Sequence, residues 1–127
     1  MEPAQLTLSD RIAIADASYG RDFGWHVLSV RDEPLATLTD PQFADMFWTA
    51  YIVTPLDGHA ITQTEGFWHP GCHRIRNILY PDFVVDTFGH YDAETNRAAI
   101  RFDYIKLDFK WTDILRAPLW FLRHWFT

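Results

Sequence analysis

Alternation of apolar and polar residues with a period of two is the dominant pattern of this chain. It recurs in five segments, residues 25–31, 35–39, 74–79, 83–91 and 97–109. Because successive side chains of an extended strand point to opposite faces, each segment predicts a β-strand. Short polar turns join several of them, which favours antiparallel hairpins. We therefore predict a mainly-β fold, an antiparallel curved sheet or a two-layer sandwich, with an α+β fold as the alternative.

Three further segments complete the predicted elements of the first half. Residues 6–14 alternate around a Ser-Asp pair and predict two short strands or one bent strand. Asp40 followed by Pro41 has the features of a helix start, because aspartate caps a first turn and proline suits the first helical position. Residues 46–53 are apolar on both faces, which is typical of a central strand covered on two sides.

The longest predicted loop and an apolar tail occupy the rest. Loops longer than about 12 to 15 residues are usually functional or mobile, and residues 55–73 are of this kind. From Pro118 the chain reads "PLWFLRHWF", a short C-terminal helical segment that is apolar nearly all round. Such a segment is expected to pack on its own core, on a second copy or partner, or on a membrane surface. No repeat or linker interrupts the pattern, so residues 1–127 are predicted to form a single domain.

Composition and charge narrow the classes of partner. The 127 residues are 48% hydrophobic and 22% charged, as in ordinary globular domains. Seventeen acidic residues against eleven lysines and arginines give a net charge of −6. Nucleic acids attract proteins through a surplus of basic residues, so no nucleic-acid partner is predicted. An acidic surface instead steers a protein toward a basic protein partner.

The single cysteine and the absence of long apolar runs predict a cytoplasmic protein. Cys72 has no second cysteine with which to form an intramolecular disulfide. The N-terminal residues lack the basic segment and apolar run of a signal peptide. No stretch approaches the roughly 20 apolar residues of a membrane-spanning helix.

The stretch "GFWHPGCHRIRN" is the main candidate for chemistry. A loop could bring together His59, His69, Cys72 and His73, whose nitrogen and sulfur atoms suit zinc. Pro70-Gly71 interrupts any helical spacing, however, and structural zinc sites usually draw on paired ligand motifs. Cys72 would be a nucleophile only if a histidine lay close enough to activate it. No metal or cofactor is therefore predicted, and a metal-dependent enzyme with its site in the 57–73 loop stays as an alternative.

Aromatic residues, at 17% of the chain with six tryptophans, carry the functional prediction. They fit an aromatic core, a barrel that binds a small apolar ligand, or anchors in a protein interface. With no catalytic motif in the chain, we predict a non-catalytic, acidic protein-binding domain. By compositional analogy with immunity proteins, it would be an inhibitor or antidote that masks a partner sterically. Self-association through the C-terminal aromatic segment is also predicted. The predicted partner-binding residues are Asp57, Glu65, Phe67, Trp68, Trp120 and Trp125.

Overall fold

A six-stranded antiparallel barrel forms the centre of the molecule. The computed structural model describes residues 6–45, 47–69, 72–102, 107 and 109–126. Residues 124–126 are described by their backbone alone. Within this part, the strands follow the order β1-β2-β3-β6-β5-β4, and β1 pairs with β4 to close the ring. The prediction of a mainly-β antiparallel fold is confirmed. The strands are β1 (Trp25–Leu28), β2 (Pro34–Asp45), β3 (Trp48–Pro55), β4 (Cys72–Asn77), β5 (Val84–Asp92) and β6 (Arg97–Phe102).

The predicted strand segments 25–31 and 35–39 form one antiparallel hairpin, and the segments 83–91 and 97–109 form another. β1 and β2 pair antiparallel from Trp25 opposite Leu38, and β5 pairs with β6 from Thr87 opposite Phe102. The predicted second arm of the later hairpin extended to residue 109, but β6 ends at Phe102. Residues 103–106 and 108 lie outside the described residues, and residues 107 and 109 are not in a strand. The hairpins therefore follow the period-two pattern from which they were predicted.

Helical segments lie outside the barrel wall. They are α1 (Leu8–Asp16), α2 (Glu65–Trp68), α3 (Trp111–Arg116) and α4 (Pro118–Phe126), with 3-10 turns at Ser18–Gly20 and Ala60–Gln63. The short C-terminal helical segment predicted from Pro118 is confirmed as α4. Across the described residues, no helix combines the length and apolar character needed to cross a bilayer.

Side chains fill the interior of the barrel. A closed barrel of eight strands has an interior just wide enough for side chains, and six strands leave less room. The inward residues are accordingly packed in contact, with the Trp25 ring 5.4 Å from Phe83 and 5.5 Å from Phe102 between centroids. The fully buried inward residues include Trp25, Val27, Leu38, Tyr51, Val53, Ile75 and Ile100.

The strands predicted over residues 6–14 are wrong, because a capping box starts a helix there. The Thr7 hydroxyl accepts the backbone N–H of Asp10 at 3.1 Å, and the Asp10 carboxylate accepts the N–H of Thr7 at 3.2 Å. These two bonds satisfy donors that a helix N-terminus leaves without partners. Ile14 and Ala15 then face the core from α1.

The helix start predicted at Asp40 and Pro41 is also wrong, since β2 continues through both residues. The register with β3 shifts between Thr39 and Gln42, which is a bulge. Proline is tolerated there because a bulge interrupts the hydrogen-bond ladder. Asp40 has a positive φ of 52°, and Arg97 donates to its carboxylate at 2.5 Å and to its carbonyl oxygen at 2.7 Å.

The topology sends one connection across a barrel mouth. β3 and β4 lie opposite each other in the ring, so the chain between them must cross the end where β3 stops and β4 starts. We call its described residues, 56–69, the crossing loop. The turns at 29–33 and 92–96 emerge at the same end, whereas β6 runs out to the opposite mouth and leads to α3 and α4.

Candidate functional site

Internal hydrogen bonds make the crossing loop a defined structure. The Thr62 hydroxyl donates to the carbonyl of His59 at 2.9 Å, and the Thr64 hydroxyl donates to that of Ile61 at 2.7 Å. Thr64 also caps α2 by accepting the backbone N–H of Phe67 at 3.3 Å. The predicted loop over 55–73 thus holds two helical turns, Ala60–Gln63 and Glu65–Trp68.

Trp68 holds the loop down by inserting into the barrel mouth. Its side chain is only 1% exposed, and its indole N–H donates to the carbonyl of Thr62 at 2.8 Å. The ring lies against Gly89 of β5, where a Cβ atom would approach Cε3 of Trp68 to 2.6 Å. The absence of a side chain at Gly89 therefore makes the space that the indole fills.

Asn96 ties the loop to the neighbouring β5–β6 turn. Its side-chain oxygen accepts a bond from Gln63 at 3.1 Å and from the Tyr91 hydroxyl at 2.7 Å. Its amide nitrogen donates to the carbonyl of Val53 at 3.0 Å. One residue therefore links the crossing loop, the turn and the end of β3. We infer a preorganised surface at this end of the barrel.

This end of the barrel is strongly acidic. We call the surface formed by residues 29–33, 56–69 and 92–96 the acidic mouth. These segments contain six carboxylates and one arginine, and Arg74 of β4 forms an ion pair with one of the six, Asp32, at 3.0 Å. Asp57, Glu65, Asp92 and Glu94 are all exposed. Ile61 adds an exposed apolar side chain, 61% accessible, at the centre of the crossing loop.

A cleft of about 300 Å³ opens between the crossing loop and β5. Its exposed lining residues supply one carboxylate and two imidazoles, whereas its two aromatic residues are buried. A carboxylate beside two imidazoles suits a polar or cationic side chain. The lining residues are Glu65, Trp68, His69, Gly89, His90 and Tyr91.

The four histidine and cysteine side chains proposed as metal ligands remain apart. In the described ranges, no three His, Cys, Asp or Glu side chains are grouped so as to hold a metal ion. His73 stacks on the Phe67 ring, with 4.8 Å between centroids, and Cys72 is exposed on the adjacent position of β4. Neighbouring residues of a strand point to opposite faces, which explains why His73 and Cys72 diverge. Burial lowers the pKa of His73, and the backbone of Trp68 and Phe67 opposes this in part.

The residues predicted to bind a partner fall into two groups. Asp57 and Glu65 are exposed on the acidic mouth. Phe67 is half-buried on His73, and Trp68 lies in the core. The interior position of Trp68 follows from the topology, since a loop that crosses a barrel mouth can insert its largest side chain into the barrel.

The predicted tryptophans of the tail have different positions. Trp120 is half-buried, and its indole N–H donates to the Asp16 carboxylate at 2.9 Å. The side chain of Trp125 lies outside the described residues. The exposed apolar residues of this region lie elsewhere on α3 and α4: Trp111, Leu115, Leu119 and Leu122.

Sequence reasoning missed Ile61 and the linking role of Asn96. Nothing in the local pattern distinguishes Ile61, which points outward from a 3-10 turn, from a core isoleucine. The sequence signal for Asn96 is clearer, because asparagine is favoured in turns, where it tolerates a positive φ such as the 53° that Asn96 adopts. Comparison with known proteins adds no further residues: no family model, curated protein or solved structure matches this chain.

Proposed function

We propose that the protein is a non-catalytic binding domain that masks a basic protein partner with its acidic mouth. The observation that carries this proposal is the concentration of exposed carboxylates, Asp57 and Glu65 among them, together with the exposed Ile61 on one hydrogen-bonded end of the barrel. Opposite charge on a partner speeds encounter, and an apolar side chain buried on contact slows release. The activity would be that of an inhibitor or antidote acting by steric occlusion.

The rigidity of the acidic mouth supports this function. Binding orders loops and side chains at a cost in free energy, and a surface already fixed by hydrogen bonds avoids much of it. The bonds of Asn96 to Gln63 and of Trp68 to Thr62 supply this preorganisation. The partner therefore meets Asp57 and Glu65 on a loop whose backbone is already fixed.

The cleft beside the crossing loop gives the partner a place for one basic side chain. A lysine or arginine entering it would meet the exposed Glu65 carboxylate beside His69 and His90. The charge of Glu65 favours such a side chain over an acidic one. An arginine at the centre of the partner's contact surface is therefore expected.

Two other functions have less support. An apolar ligand inside the barrel would compete with the side chains that fill it, among them Trp25 and Tyr51, both fully buried. A metal-dependent enzyme would need ligands that converge, and His73 stacks on Phe67. Self-association through the C-terminal segment also has less support, because Trp120, its predicted anchor, donates to Asp16 within the chain. The cytoplasm is the proposed compartment, because an exposed free thiol such as that of Cys72 suits reducing conditions.

A basic probe peptide tests the proposal without knowledge of the partner. We would titrate ¹⁵N-labelled protein with a short arginine-rich peptide and follow the amide resonances. Perturbations should concentrate in residues 57–65 and 92–96 and should weaken as salt is raised, because salt screens exposed charges. Equal perturbation of every acidic surface would contradict the proposal.

Charge reversal supplies the second arm of the experiment. Asp57→Lys combined with Glu65→Lys should weaken peptide binding at least tenfold. Asp82→Lys is the matched control, since Asp82 is an exposed carboxylate in the β4–β5 turn at the opposite mouth. If the control weakens binding as much as the paired substitution, the acidic mouth has no special role.

A further inference from the structure

The exposed face of α3 and α4 combines apolar and basic side chains. Trp111 and Leu119 are each 81% exposed, and Leu115 of α3 and Leu122 of α4 are exposed as well. These residues are four apart on α3 and three apart on α4, spacings that place each pair on one helix face. Each of the two helices thus presents exposed apolar side chains that the described part of the chain leaves uncovered.

The exposed charged side chains of residues 109–123 are all basic, and one exposed carboxylate, that of Asp16 in α1, accepts a bond from Trp120 of α4 at 2.9 Å. Lys110, Arg116 and Arg123 are exposed, and Asp113 is the only carboxylate in residues 109–123. Asp113 is buried and faces inward, where it accepts bonds from Arg11 at 2.8 Å and from the Lys110 N–H at 2.8 Å. A chain with a net charge of −6 therefore carries a locally basic, apolar face.

We infer that the exposed face of α3 and α4 docks on an anionic lipid surface. Helices that lie in a membrane interface carry tryptophan and leucine on one side and lysine or arginine beside them, as this face does. The acidic remainder of the chain would be repelled by the same lipids, which fixes the docking orientation.

The opposite end of the barrel stays free in this orientation. α3 and α4 follow β6 at the mouth opposite the crossing loop. Docked through these helices, the protein would hold the acidic mouth away from the bilayer. The inference does not depend on the protein-binding proposal, because it uses none of the same residues.

Flotation with lipid vesicles tests the inference on the full chain. Vesicles of phosphatidylcholine with about 30% phosphatidylserine should bind the protein at least tenfold more strongly than phosphatidylcholine alone, because each basic residue near an anionic surface contributes about fivefold. Lys110→Gln with Arg116→Gln should then reduce binding to the anionic vesicles about 25-fold. Failure to bind anionic vesicles, or equal binding to both kinds, overturns the inference.

A second pair of variants tests the apolar contribution. Leu119→Ser with Leu122→Ser should lower binding at least tenfold, and exposure of both leucines means that folding, checked by circular dichroism, should be retained. Val30→Ser is the matched control, since Val30 is fully exposed in a turn at the opposite mouth. A control that also loses binding contradicts the inference.

Light scattering distinguishes a lipid surface from a second copy of the chain. A monomer in solution is expected for both the native protein and the leucine variant. A native dimer that the leucine substitutions convert to a monomer would show that the face is covered by another copy, and would overturn the inference. The Asp57→Lys and Glu65→Lys substitutions should leave vesicle binding undiminished.

Discussion

Gly89 lies directly beneath the indole of Trp68. A Cβ atom added at Gly89 would approach Cε3 of Trp68 to 2.6 Å and Cδ1 of Ile100 to 3.1 Å. Both distances are shorter than an ordinary van der Waals contact, and both neighbours are buried and unable to move freely. The crossing loop therefore depends on a missing side chain in β5.

Gly89→Ala should destabilise the protein by about 1 to 3 kcal/mol, the usual cost of inserting a methyl group into a filled core. Chemical denaturation followed by circular dichroism measures the change in the free energy of unfolding. Gly66→Ala is the control, since nothing lies within 4 Å of a Cβ at that α2 position. Alanine there should be neutral or stabilising, because glycine is a poor helix former.

Trp68→Phe, alone and combined with Gly89→Ala, tests whether Trp68 and Gly89 act as a pair. The smaller ring leaves room for a methyl group, so the double variant should be less destabilised than the sum of the single variants by about 1 kcal/mol or more. Additive effects would mean that the added methyl group clashes mainly with Ile100.

The period-two pattern predicted the strands of the barrel but not its closure. Alternation depends on each strand alone, whereas closure depends on β1 meeting β4, whose first paired residues lie about fifty positions apart. The helix start at Asp40 was predicted wrongly for a related reason. Aspartate followed by proline suits a helix start and a bulge equally well, and the bond from Arg97 to Asp40 comes from a distant strand. By contrast, the capping box of Thr7 and Asp10 is a local signal that could have identified α1.

The candidate site was predictable only in its charge. Asp57 and Glu65 are exposed, as expected for carboxylates in a polar loop. Whether an aromatic residue points inward or outward depends on what lies opposite, and for Trp68 this is Gly89, more than twenty residues away. Composition could therefore indicate an acidic surface, but not which tryptophans would be available to a partner.

Asn96 should be the residue whose loss most loosens the acidic mouth. Asn96→Ala removes three side-chain hydrogen bonds and places alanine at a φ of 53°, so we expect a loss of about 2 to 4 kcal/mol. Asn96→Gly separates the two effects, because glycine adopts that φ without strain. The glycine variant should be more stable than the alanine variant by about 1 kcal/mol, as measured by urea denaturation.

Hydrogen exchange measures how the Asn96 substitutions affect the crossing loop. Loss of the bond between Asn96 and Gln63 should speed amide exchange in residues 60–68 of both Asn96 variants. Unchanged exchange there would mean that Trp68 alone holds the loop in place, and that the link to the turn contributes little to its rigidity.

Metal removal should leave the protein unaffected. His59, His69, Cys72 and His73 do not converge, so a chelator has no structural ion to extract from them. Dialysis against EDTA should shift the thermal unfolding midpoint by no more than about 1 °C, whereas losing a structural zinc typically unfolds a small domain. A larger shift, together with stoichiometric metal in elemental analysis, would restore the metal-site hypothesis.

Acid should destabilise the protein in part through His73. Burial lowers its pKa in the folded state, so below the ordinary histidine value of about 6.5 the unfolded chain binds a proton that the folded chain does not. The free energy of unfolding should therefore be unaffected by this residue above that pH. The free energy of unfolding should fall as the pH drops below about 6.5, by at most about 1.4 kcal/mol per pH unit.

His73→Phe keeps an aromatic ring against Phe67 and removes the titrating group. Urea denaturation from about pH 8 to about pH 5 should therefore show a shallower decline for this variant. Parallel curves for the two proteins would place the acid sensitivity elsewhere in the chain.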